Sequence, residues 1–189
     1  MKSVFITICL TLIVQVVTAQ NIKFFNNTDE QGRFVVSNTI LLDIASDNTF
    51  SGYYGWAAQG QEEYFIIGKI EGTKITGTKI SLSDKSEKAI NWTILPDAIK
   101  ASSPLGITRV DASETNYLED ALNLTFYEQP AFNAKQITSD YSPAGKNARI
   151  IQLGKIEKNN DGSNTYNIWY KVKTNDMEGW VFGAMQIVF

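Results

Sequence analysis

Ile168-Trp169-Tyr170-Lys171-Val172-Lys173, a polar turn through Thr174-Asn175-Asp176-Met177, then Glu178-Gly179-Trp180-Val181-Phe182-Gly183: two aromatic-and-valine runs flank a short hydrophilic break. Large apolar and polar residues alternate along both, which is the period-two pattern of half-buried strands. The pair predicts a β-hairpin. Two further runs upstream, Leu122-Asn123-Leu124-Thr125-Phe126-Tyr127 and Ala148-Arg149-Ile150-Ile151-Gln152-Leu153, carry the same strand character.

The region before residue 95 has the same texture. All four prolines, Pro96, Pro104, Pro130 and Pro143, lie beyond it, so nothing there removes a ladder hydrogen bond. Candidate strands are 34–37, 39–44, 49–56, 64–70, 74–82 and 90–94, at the close spacing of an antiparallel meander closing as a barrel or a sandwich. Gly72-Thr73 between Ile70 and Ile75 suits a tight hairpin turn with positive φ at its first central residue. From Leu95 to Asn116 the chain changes to Pro96-Asp97 and Ala101-Ser102-Ser103-Pro104-Leu105-Gly106, the composition of a connector. Ser113 to Leu122 is the one short helix candidate, capped at Ser113. The expected class is all-β, with an N-terminal β-rich domain over 20–118 and a second domain over 119–189.

Lys2, the apolar run Val4 to Val14, and Val17-Thr18-Ala19 match a secretory signal peptide cut after Ala19, giving a secreted or periplasmic protein that begins near Gln20. The run is shorter than the roughly twenty residues of a bilayer span, so no stable membrane span is expected after cleavage. Cys9, the only cysteine, leaves with it, and with it go disulfides, thiol nucleophiles and thiolate metal ligands.

The 189 residues contain no histidine and carry a net charge of −3. Ser-His-Asp and Cys-His catalysis and imidazole metal sites are thereby excluded. Residues 20–120 hold nine basic and fourteen acidic side chains, against seven and six in 121–189. Neither half offers the basic footprint of a nucleic-acid binder. Gly72-Thr73-Lys74-Ile75-Thr76-Gly77 has Walker-like spacing, but Thr78 precedes Lys79 and reverses the required order. Paired carboxylates, Glu62-Glu63 and Glu119-Asp120, are the one common catalytic class that the composition permits. Glycosidase chemistry would need two of them to converge from separate elements.

Trp169-Tyr170-Lys171-Val172 with Gly179-Trp180-Val181 resembles the strand pair that identifies the bacterial SH3 domain, a small barrel of extracytoplasmic proteins. The resemblance covers roughly residues 120–189. It takes in the turn at Gln129-Pro130-Ala131-Phe132, the lysine-glycine turn at Ser142-Pro143-Ala144-Gly145-Lys146, and a short final strand from Ala184 to Phe189. The opening strand, Asn123 to Tyr127, lacks the arginine that many members have there, so no contact attributed to that arginine carries over. The resemblance implies a small SH3-like β-barrel at the cell envelope, and peptidoglycan peptide or glycan as ligand class.

Trp180 is expected in the core. Trp169 and Tyr170 alternate, so one of them is expected at the surface, where it would line a groove with Tyr127, Phe132 and Tyr141. In the first domain, alternation puts Phe50, Tyr54 and Trp56 on a core face and leaves Tyr53, flanked by small residues, as the exposed ring. The leading expectation is a non-catalytic binding module without metal or cofactor, recognising cell-wall peptide or glycan or an envelope protein. Two alternatives stand beside it: an interaction or inhibitor protein that engages another secreted protein through its acidic N-terminal domain, and a carboxylate-dependent hydrolase.

Overall fold

The computed structural model describes residues 21–31, 34–57, 61–103, 106–113 and 123–184. The signal-peptide segment, the helix candidate beyond Ser113, the boundary expected near residue 118 and the final strand beyond Ala184 lie outside them, as does the ring of Trp56. The described residues are all-β. Eight strands, β1 (Asn21–Gln31), β2 (Phe34–Ile44), β3 (Thr49–Ala57), β4 (Gln61–Glu71), β5 (Lys74–Ser81), β6 (Glu87–Ile94), β7 (Ala98–Ser103) and β8 (Gly106–Ser113), form a closed antiparallel barrel in sequence order. Pairing of Phe24 with Ser113 and Phe25 with Ala112 closes it.

The six expected strands are present, two of them merged into β2. The stretch expected to be a connector is instead the β7–β8 hairpin, with Ser103 and Gly106 its last described pair. Ile99 and Val110 are fully buried in the barrel. Strand β1 was missed as well. Its second half, Asn26 to Gln31, is polar, and eleven register pairs with β2 hold the whole strand in place. The Gly72-Thr73 turn forms as expected, with Gly72 at φ +60°.

Alternation along the strands sorts the barrel into two faces. Inside, Phe25, Ile40, Tyr54 and Tyr64 follow one another across four strands in direct register. Tyr54 stacks on Tyr64 at 5.8 Å and meets Trp92 edge-on at 5.1 Å, the geometries that the ring quadrupole favours. Leu42, Ile44, Phe50, Ile66, Ile75 and Ile90 fill the rest of the interior. Lys79 also points inward, its Nζ 4.2 Å from the Tyr64 ring centre. Burial pushes that ammonium's pKa down and the nearby Glu62 pulls it back up.

A second register row runs along the outside: Phe24, Leu41, Tyr53, Phe65 and Ile80. This row is covered by a five-stranded antiparallel sheet of β9 (Leu124–Tyr127), β10 (Gln136–Tyr141), β11 (Arg149–Lys158), β12 (Tyr166–Lys173) and β13 (Glu178–Phe182). Phe126, Ile150, Leu153, Ile168, Tyr170, Val172 and Val181 share one buried cluster with Leu41, Tyr53 and Phe65 of the barrel wall. Two polar ties cross the layer: the Leu153 amide donates to Asp43 Oδ2 at 2.9 Å, and the Tyr166 amide donates to the Leu82 carbonyl at 2.7 Å. The strand order β10-β9-β13-β12-β11 is a ring of sequential strands cut open between β10 and β11.

Candidate functional site

The second sheet turns its other face away from the barrel, and aromatic residues dominate it. The hairpin pairs Trp169 with Phe182 and Lys171 with Trp180, and Trp180 pairs in turn with Tyr127 of β9. Directly paired residues project to the same side, so Tyr127, Trp169, Trp180 and Phe182 share this face. Phe132 joins them from the β9–β10 loop. Trp169 is the fully buried centre, with Tyr127 at 5.3 Å, Phe132 at 5.2 Å and Phe182 at 5.2 Å around it. Its indole donates to Glu157 Oε2 at 2.6 Å. Trp180, half-buried, lies over Gly154, where an added Cβ would come within 2.8 Å of the indole.

Tyr127, Phe132 and Phe182 are half-buried and line a concavity of about 290 Å³ together with Asn123, Leu124, Thr125, Val181 and Gly183. The ion pairs Lys155–Glu157 at 3.4 Å and Lys171–Glu178 at 2.7 Å lie on the same face. Glu178 is shared with Lys173, at 3.9 Å, so this border carries more ammonium than carboxylate groups. The arrangement offers flat apolar rings bordered by charged and hydrogen-bonding groups, which suits stacking and hydrogen bonding.

Three of the expected site residues, Tyr127, Phe132 and Trp169, are therefore brought together, and the other three are not. Tyr141 lies against Phe126, on the barrel-facing side, at 5.3 Å. There its hydroxyl bonds to Thr174 and Asp176, and Lys146 pairs with Asp176 at 3.1 Å. The Tyr141 bond, helped by Lys146 and Thr174, holds the Asp176 carboxyl down to about 2. Tyr53 is not an exposed ring. It is 1% exposed beneath the second sheet, and its hydroxyl donates to Glu63 Oε1 at 2.8 Å.

Tyr170 does face oppositely to Trp169, yet neither is at the surface: both are 0% exposed. The barrel covers one side of β12 and the aromatic cluster covers the other. Trp180, expected in the core, belongs to the outer cluster. Phe182 and Trp180 were the functional-face residues that sequence reasoning overlooked. Counting back from the turn, with Lys173 opposite Glu178, puts them across from Trp169 and Lys171 and would have found both.

A separate cleft of about 370 Å³ lies where the barrel rim meets the β11–β12 hairpin, lined among others by Glu62, Glu63, Asp84, Lys88, Asn159 and Tyr166. Glu62, Glu63 and Asp84 all contribute to its lining. Glu62 accepts from the Tyr64 hydroxyl at 2.6 Å. Hydrogen bonds from Ser86 and Ser81 hold Asp84 below the ordinary carboxyl range, which suits a fixed acceptor and not a proton donor. The carboxyl that burial raises is Asp43, which sits in the interlayer. Among the described residues no group of three acidic, histidine or cysteine side chains is placed to hold a metal ion, and no helix is long and apolar enough to cross a membrane. Comparisons with protein-family models, with curated proteins and with solved structures find no match.

Proposed function

We propose that the protein is a non-catalytic, extracytoplasmic binding protein whose C-terminal sheet is an opened relative of the bacterial SH3 barrel, recognising cell-wall peptide or glycan. The observation that carries the reading is the outer aromatic face: Tyr127, Phe132, Trp180 and Phe182 remain half-buried around a fully buried Trp169. Rings at the surface of a small sheet contribute to a core only through the side they turn inward. The side they turn outward is available to the apolar faces of sugar rings or to an extended peptide. The strand order supports the resemblance, since the sequential ring cut between β10 and β11 keeps the neighbour relations of a five-stranded barrel at every other junction.

Co-sedimentation of the chain with purified cell-wall sacculi tests this. Phe132→Ala and Phe182→Ala should each weaken retention about tenfold, the effect of one lost hot-spot contact, with a smaller loss of stability than Trp169→Ala because each ring is only half-buried. Trp169→Ala is unsuitable as a binding probe: emptying a fully buried indole site costs about 3–5 kcal/mol. Retention unchanged in both phenylalanine variants would refute the aromatic face as the binding surface. Sacculi stripped of stem peptides separate the glycan ligand from the peptide one. Soluble fragments released by the chain, and lost in Glu62→Gln, would instead assign the function to carboxylate-dependent hydrolysis.

A further inference from the structure

None of the residues lining the aromatic concavity lines the cleft at the barrel rim, so the cleft is open to an independent assignment. We infer that this cleft is a second binding site, specific for a neutral, hydroxyl-rich ligand of one or two saccharide rings. Charge is the first argument. Glu62, Glu63 and Asp84 are matched one for one by Lys88 in the lining and by Lys79 and Lys85, whose ammonium groups sit 4.2 Å over the Tyr64 ring and 4.4 Å over the Tyr166 ring. An ionic ligand would gain little net attraction from such a lining. A hydroxyl group, which both donates and accepts, finds partners of either kind.

Preorganisation is the second argument. The acceptors are fixed before any ligand arrives: Glu62 by the Tyr64 hydroxyl at 2.6 Å, Glu63 by the Tyr53 hydroxyl at 2.8 Å, Asp84 by the Ser86 amide at 2.9 Å. Fixed partners reduce the ordering cost of binding. Asn159, also in the lining, is held by donating its amide to Thr165 at 2.8 Å. The volume of about 370 Å³ lies at the small end of the ~300–1,000 Å³ of ligand sites, and seams between structural units are where such sites concentrate.

The test is an amide ¹H–¹⁵N titration of the full chain with four probes: glucose, N-acetylglucosamine, a β-1,4-linked glucose disaccharide, and lysine amide as a cationic control. Saturable shifts at Ser83, Ser86, Asn159 and Asn167 with at least one sugar and not with lysine amide support the site. Asn159→Ala and Glu62→Gln should each weaken that binding about tenfold, and Phe132→Ala should leave it unchanged. The last arm separates this site from the aromatic face, so either can fail alone. Absence of saturable shifts at these amides, shifts confined to Tyr127 and Phe182, or a preference for lysine amide would each overturn the assignment.

Discussion

Asp43 offers the sharpest test of how the second sheet is held to the barrel. It projects outward from β2, 8% exposed, and accepts the Leu153 amide across the interlayer at 2.9 Å. Burial raises its carboxyl pKa above the ordinary value of 3.8, while the Leu153 bond lowers it; burial is the larger effect. Two substitutions separate those contributions. Asp43→Ala leaves a buried backbone N–H without an acceptor and should destabilise the chain by about 1–3 kcal/mol. Asp43→Asn keeps a carbonyl acceptor for Leu153 and removes the buried charge, so at pH 7 it should lie within about 1 kcal/mol of wild type, on either side.

The pH dependence fixes the sign. A carboxyl with a raised folded pKa holds more protons in the folded than in the unfolded chain, so its contribution to stability grows as pH falls through the folded pKa and levels off below 3.8. The amide that replaces it in Asp43→Asn does not titrate, and all other groups cancel in the difference. The stability of Asp43→Asn relative to wild type should therefore be highest at pH 7 and lower at pH 4, falling once pH reaches the raised folded pKa. Urea denaturation followed by tryptophan fluorescence measures it, read as midpoint shifts at constant slope. A difference that stays constant over that range, or an Asp43→Ala variant as stable as Asp43→Asn, would refute the account.

Two other predictions concern the frame around the sites. Gly68 and Gly77 are register partners in β4 and β5, and a Cβ on Gly68 would land on the Thr76 carbonyl and within 2.9 Å of Gly77 Cα. Gly68→Ala should cost about 1–3 kcal/mol through overpacking, seen as a lower melting temperature; a variant that melts with wild type would contradict it. Asp176 should titrate near 2 by carbon-detected NMR and move up towards 3.8 in Tyr141→Phe, because the Tyr141 hydroxyl is the largest cause of its depression. The tie between β10 and the β12–β13 turn is then complete above the ordinary carboxyl range and lost as pH falls through about 2.

How far the sequence could be read depended on whether one or both faces of a strand are buried. Where one face is wet, as from Ile90 to Ile94, period-two alternation locates the strand. Ile40-Leu41-Leu42, Tyr53-Tyr54 and Tyr64-Phe65-Ile66 break the alternation because successive residues serve two cores, the barrel interior and the layer beneath the second sheet. That doubled hydrophobicity is itself a sign of a covered sheet. Recognising it would have turned Tyr53 from an exposed ring into an interface residue. The same physics misplaced Trp169 and Tyr170, since alternation states that they diverge and says nothing about what covers either side. The polar part of β1 carries no hydrophobic signal. Its pairing with β2, from Asn26 opposite Thr39 to Gln31 opposite Phe34, makes it a strand.

The shared layer also bears on how a partner of the acidic N-terminal region can be sought. The row Phe24, Leu41, Tyr53, Phe65 and Ile80 belongs to the barrel, but its covering belongs to the second sheet. Expressing residues 20–118 alone would strip that cover and leave a contiguous apolar strip flanked by Asp43. Exposed strips of this kind bind proteins without regard to identity, so capture by the isolated segment would report the missing sheet. A partner drawn by acidic charge should bind the intact chain and be released by salt. Adhesion to the bare strip should instead persist in salt and disappear when the second sheet is restored.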